Sequence, residues 1–164
     1  MDAVAAHERS LAARLRSRLA DVPGLELLAL WSDDTVDRVG LATFNLDGYR
    51  HPLLAAILSA EHAIGVRHGC FCAHPLMTRL LRTPHAEVER LRRELLAGRR
   101  PPLPGAVRAS LGLGTTAEEI DLLTSALAEI ADDGPRGYYR HVPELGEYAP
   151  LSPLRARGAR AAAA

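Results

Sequence analysis

Lysine is missing altogether: the 20 residues counted as Lys or Arg among the 164 are all arginines. With no side-chain primary amine, no side chain can form a Schiff base with a carbonyl, which removes the chemistry built on a lysine imine. Cysteine is nearly as scarce, with two residues, Cys70 and Cys72, separated by one position. A disulfide closing so small a ring strains away from ordinary geometry, so a secreted disulfide scaffold is excluded and both are expected as thiols. No apolar run approaches the roughly 20 residues of a membrane helix. The first turns instead carry His7, Glu8, Arg9, Arg14, Arg16 and Arg18, unlike a signal peptide. Nor is there an excess of one charge, since 20 basic and 20 acidic residues leave a formal net charge of zero, and the basic footprint of a nucleic-acid binder is absent. The expectation is a cytoplasmic protein with neither nucleic acid nor membrane as partner. Its length fits a single domain of roughly 100–150 residues with its own core.

What is present alternates between helical and extended patterns. Val4, Leu11, Leu15 and Leu19 recur at helical spacing until "DVPG" (Asp21–Gly24) stops the run. "LELLAL" (Leu25–Leu30) reads as a strand, and after the polar "SDDTVD" turn "RVGLATFNL" (Arg38–Leu46) reads as a strand apolar on both faces. Pro52 opens a helix to about His62, and "IGVRH" (Ile64–His68) is a short strand. Pro75 to Leu81 predicts a short helix, and Thr83 followed by Pro84 predicts the cap of another, whose stripe is Val88, Leu91 and Leu95. "AVRASLGL" (Ala106–Leu113) alternates, placing Arg108 opposite its apolar side. Thr116 with Glu119 forms a capping box for a helix carrying Ile120, Leu123, Leu127 and Ile130, which ends before Gly134. The sum is an α+β domain over residues 1–150, a small mostly antiparallel sheet with helices packed on it, followed by a disordered tail over 151–164.

The stretch "VRHGCFCAHPLM" (Val66–Met77) gathers the reactive side chains. His68, Cys70, Cys72 and His74 alternate, and all are zinc-ligand types, but in an extended strand the outer pair lie about 20 Å apart, beyond the reach of one ion with bonds near 2 Å. Zinc and thioredoxin-like redox pairs also favour two or more residues between cysteines. Free cysteine is often simply buried, which is the reading for Cys70. Cys72 stands on a turn between a strand and a proline-started helix with an arginine and histidines near it, surroundings that favour thiolate, the nucleophilic form.

"GVRHGCFCAHPLM" followed by "VRASLGLGTTAEEID" resembles the C-terminal small domain of class V aminotransferases, nearest to cysteine desulfurases. The family pattern R-x-G-x-x-C-A-x-P is met by Arg67, Gly69, Cys72, Ala73 and Pro75, and the second block by Val107 to Asp121. "RVGLATFNLDG" and "AAHERSLAARL" resemble the preceding strand and the entering helix, so the likeness covers about residues 1 to 150. Cys70 stands where those enzymes often have histidine, and Thr83 to Pro104 is longer and more helical than their connection. The resemblance implies that Cys72 is catalytic, attacking the sulfur of a cysteine substrate held on pyridoxal phosphate to become a persulfide. It implies that Arg108 binds the substrate carboxylate, as a guanidinium fork can, and it places Arg67 and His74 in the same loop without a defined role.

Pyridoxal phosphate is anchored on a lysine in this fold, and this chain has none. The resemblance therefore implies a small domain that works only with a lysine-bearing large domain on a separate or missing chain. The alternatives are a non-catalytic remnant or interaction module, an aminotransferase or lyase of the same class, and a Cys/His metal site. A surface that once packed on the large domain would favour homo-oligomers.

Overall fold

A computed structural model of the chain describes residues 1–32 and 38–151. Most of the "SDDTVD" segment (33–37) and the expected tail from residue 152 onward lie outside the described residues. Helix α1 (Asp2–Ala20) buries Leu11, Ala12, Leu15 and Leu19, while Val4 remains 39 % exposed, so the buried stripe begins later than the spacing predicts. The chain turns at Gly24, whose φ of +69° is easy only for glycine. It then enters β1 (Leu25–Leu27), which pairs antiparallel with β2 (Leu41–Leu46). Only the first half of "LELLAL" is strand.

Strand β2 corrects the two-sided expectation. Ala42, Phe44 and Leu46 are buried, whereas Leu41, Thr43 and Asn45 are not, because helices cover one face of the sheet and leave much of the other open. Helix α2 (His51–His62), with Pro52 in its first turn, leads to β3 (Arg67–Gly69). Helices α3 (His74–Leu80) and α4 (His85–Leu96) then precede β4 (Ala106–Ser110). Thr83 does not cap α4. Its N–H is bonded to the Thr78 carbonyl at 3.0 Å, closing the preceding helix, and the N-cap position falls on Pro84.

The strands form an antiparallel sheet of order β1-β2-β4-β3. Helix α5 (Ala117–Asp133) starts at the expected capping box, with the Glu119 N–H donating to Thr116 Oγ1 at 3.3 Å and the Thr116 N–H to the Glu119 carboxylate at 3.1 Å. Together α1, α2 and α5 cover one face, where Leu15, Phe44, Ile57, Val107 and Leu127 are fully buried. The α+β, two-layer architecture follows.

A hairpin that the sequence reading does not contain completes the fold: β5 (Tyr139–Val142) and β6 (Glu147–Pro150) pair antiparallel. Leu151 extends it by donating to the Tyr138 carbonyl at 2.8 Å. Glu61 of α2 fastens its entry, accepting from the Arg136 N–H at 2.9 Å, the Gly137 N–H at 3.2 Å and the Tyr139 hydroxyl at 2.8 Å. Burial and the Glu61 carboxylate push the Tyr139 phenol well above its ordinary pKa.

Candidate functional site

The other face, covered at Leu28 and Ala106 by Met77 of α3 and open elsewhere, carries a row of side chains fixed by register. Arg108 of β4 lies opposite Thr43 on β2 and opposite Arg67 on β3, and directly opposed residues point to the same side of a sheet. Leu28, whose N–H donates to the Thr43 carbonyl at 2.8 Å, extends the row at the far edge. Two like charges facing each other across a strand pair are unfavourable by themselves. Such a pair fits a surface that receives an anion.

Arg108 is only partly exposed, and its Nε is buried without a hydrogen-bond partner. An unpaired buried donor costs about 1–3 kcal/mol. Its guanidinium carbon lies 5.0 Å from the centre of the Phe71 ring, a cation–π contact that holds the fork without satisfying its N–H groups.

Phe71 belongs to the turn that carries Cys72. The Ala73 N–H donates to the Cys70 carbonyl at 2.9 Å, and the two residues between, Phe71 and Cys72, have φ of +54° and +57°. Left-handed conformations cost non-glycine residues of order 1–3 kcal/mol each and concentrate at functional sites. The turn leaves the Cys72 thiol exposed and folds Phe71 against Arg108. Phe71 thus contacts Arg108 beside the β3–β4 pair, with Arg67 opposite Arg108 and Cys72 next to Phe71 in the turn.

His74 does not join them. Its Nε2 is 3.1 Å from Cys70 Sγ, and both residues line an apolar groove of about 330 Å³ between α3 and α4, with Met77, Leu91 and Leu95. Cys70 is half-buried against the small cluster of Leu28, Met77 and Ala106. Among the described residues no three His, Cys, Asp or Glu side chains are grouped to hold a metal ion.

Sequence reasoning also missed a set of polar contacts. His51, at the start of α2, His68 of β3 and Glu147 of β6 form a hydrogen-bonded chain beside the exit of β3. Their separations of 17 and 79 positions leave no local pattern to read.

The aminotransferase class-V family matches residues 1–123, and the chain belongs to that family. A probable cysteine desulfurase of Pseudomonas aeruginosa is 35 % identical over 124 residues, covering 76 % of this chain and 24 % of that protein. A cysteine desulfurase of Dickeya dadantii is 32 % identical over 130 residues, covering 79 % and 25 %. Among solved structures, the apo cysteine desulfurase of Thermococcus onnurineus matches with a TM-score of 0.55 at 26 % identity, over 76 % of this chain and 25 % of that one. The chain spans about a quarter of the length of these relatives. Among the described residues no helix is long and apolar enough to cross a membrane.

Proposed function

We propose that this chain supplies the substrate-facing part of a cysteine desulfurase, with Cys72 as the sulfur-accepting nucleophile and Arg108 as the group that binds the substrate carboxylate. The observation that carries the reading is the juxtaposition at the sheet edge: an exposed thiol on a left-handed turn, whose neighbouring Phe71 ring lies against a guanidinium with an unpartnered Nε. A carboxylate accepts two parallel hydrogen bonds from an arginine fork, which would satisfy donors that the fold leaves open.

The family implies pyridoxal phosphate, but the residues present do not fit its anchoring, because none of the 164 is the lysine whose side chain forms the Schiff base. The lysine-bearing domain would lie on polypeptide outside these residues. This chain's share of the net reaction is sulfur acceptance: the substrate C–S bond breaks, a bond from that sulfur to Cys72 Sγ forms, and the electron pair left on carbon takes a proton, giving alanine. Arg67 reinforces the positive field at the carboxylate. His74 serves Cys70 rather than the substrate.

Mixing the chain with a lysine-bearing class V large domain tests the proposal. The expected result is visible cofactor absorbance that responds to L-cysteine, together with sulfide release that Cys72→Ala abolishes. Sulfide release unaffected by that substitution would remove Cys72 from its role. A second reading, a remnant that only binds a partner, rests on the missing lysine. Capture of a partner that itself lacks a pyridoxal phosphate lysine would favour it.

A further inference from the structure

We propose that His51, His68 and Glu147 are positioning residues that hold the exit of β3, and with it the Cys72 turn, and that they do so only when the two imidazoles share three ring protons. The word positioning rests on the reading of Cys72 above, whereas the proton count does not.

The register sends alternate residues of β3 to opposite faces. Arg67 points with Arg108 to the open face, while His68, opposite Val107, points to the helix-covered face. There its Nδ1 lies 3.3 Å from His51 Nδ1, and its Nε2 lies 2.9 Å from the Glu147 carboxylate. His51 Nε2 in turn lies 3.2 Å from the Leu103 carbonyl. A short edge strand is thereby tied to α2, to the segment before β4 and to the hairpin, immediately before the chain enters the turn. The tie depends on Gly105, where a Cβ would fall 2.6 Å from His51 Nε2 and 2.8 Å from the Gly69 backbone.

The proton count follows from the ends of the chain. Leu103 O is an acceptor and so is an ionised Glu147, hence both Nε2 atoms must carry protons. The contact between the two Nδ1 atoms needs one proton more. Three ring protons over two imidazoles make one neutral ring and one imidazolium, balanced by the Glu147 carboxylate. With two protons, one contact sets acceptor against acceptor; with four, two N–H groups meet head-on.

The carboxylate contact falls on His68, and burial weighs against charge on His51. Burial holds His51 below its ordinary pKa, partly offset by the Leu103 carbonyl, and His68 and Arg50 add to the lowering. Glu147, which favours the charge, touches His68 directly. The same cleft of about 350 Å³ is lined by Arg50, Arg100, Cys70, His141 and Glu144. Arg100 donates to the backbone carbonyl of Glu144 at 2.7 Å, and His141 packs on Tyr148 with ring centres 5.0 Å apart.

Nitrogen-15 NMR of the imidazoles in the full chain, titrated over about pH 5 to 9, counts the protons directly. The expected result is a window in which His51 and His68 carry three N–H protons between them, bounded by loss of one on the alkaline side and gain of one on the acid side. Glu147→Gln keeps an acceptor but removes the balancing charge, and should move the alkaline boundary down by about 1 pH unit. Passage from two to four protons with no three-proton window overturns the count. The positioning role has its own readout, the rate of Cys72 alkylation by iodoacetamide, with label at Cys72 resolved from Cys70 by peptide fragmentation. The quotient of wild-type to Glu147→Gln rates should change at least threefold between pH values where their proton counts agree and where they differ. A constant quotient overturns the positioning role. Neither readout uses cofactor or substrate, so failure of Cys72 as a sulfur acceptor would leave both outcomes intact.

Discussion

The two faces of the four-stranded sheet are built to opposite rules. On the face covered by α1, α2 and α5, side chains such as Phe44 and Val107 are wholly buried and apolar, and each contributes through packing and removal from water. On the other, neighbouring strands present Thr43, Arg108 and Arg67, and the adjoining turn holds two non-glycine residues in left-handed conformations. The first face stabilises the fold. The second carries an unpartnered donor, opposed like charges and backbone strain, features that cost stability and are retained where a ligand or a reaction uses them.

Substitutions on the two faces should therefore separate activity from stability. The largest effect expected is on sulfur acceptance: in the assembled enzyme Cys72→Ala should abolish protein-bound sulfane sulfur while leaving the unfolding midpoint unchanged, checked by mass mapping and by denaturant melts. Phe44→Ala, on the packed face, should destabilise the fold by about 3–5 kcal/mol, measured by urea unfolding. Arg108→Ala should show the reverse pattern. Stability should stay within about 1 kcal/mol of wild type, since removing the arginine also removes an unsatisfied Nε and a like-charge neighbour of Arg67, whereas KM for the amino-acid substrate should rise about tenfold or more.

Smaller effects sharpen the same division. Thr116→Ala removes the side chain that accepts from Glu119 N–H, and should cost about 1 kcal/mol in thermal unfolding without altering substrate affinity. Asp121 bridges Arg14, at 2.5 Å, and Arg18. The Arg14 hydrogen bond and charge, aided by Arg18, hold its carboxyl below the usual carboxylate range. A carboxyl with a depressed folded-state pKa contributes stability above its unfolded value and loses it as pH falls through the folded one. The stability difference between Asp121→Asn and wild type should be small at neutral pH, shrink below about pH 4, and shrink again in about 1 M salt.

Much of the packed face was legible because its signals are local. The Thr116–Glu119 box, the stripe on α5 and the alternation that turns Arg108 away from Val107 all operate within one element. The β2 strand misled for a physical reason: Leu41 is apolar yet 38 % exposed, so apolar residues on both sides of a strand do not prove two covered faces. The β5–β6 hairpin carried weak signals, Tyr139 and Tyr148 flanking a turn that ends at Gly146 with φ of +70°. At four residues per strand it escaped periodicity. Of the proposed site, Cys72 and Arg108 were pointed to by the family pattern. Their connection through Phe71 was not, because a ring against a guanidinium 37 positions away is a product of the turn's left-handed backbone.

The central claim is that the open face delivers Cys72 to a substrate held by Arg108. Its most direct test is mass mapping of the peptide from His68 to Arg79 after the chain, joined to a lysine-bearing class V domain, is given L-cysteine and then alkylated. The account predicts an added sulfur of about 32 Da on Cys72, formed about fivefold more slowly in Arg108→Ala at substrate levels near the wild-type KM. Sulfide production with no added sulfur on Cys72, or labelling indifferent to Arg108, would contradict it.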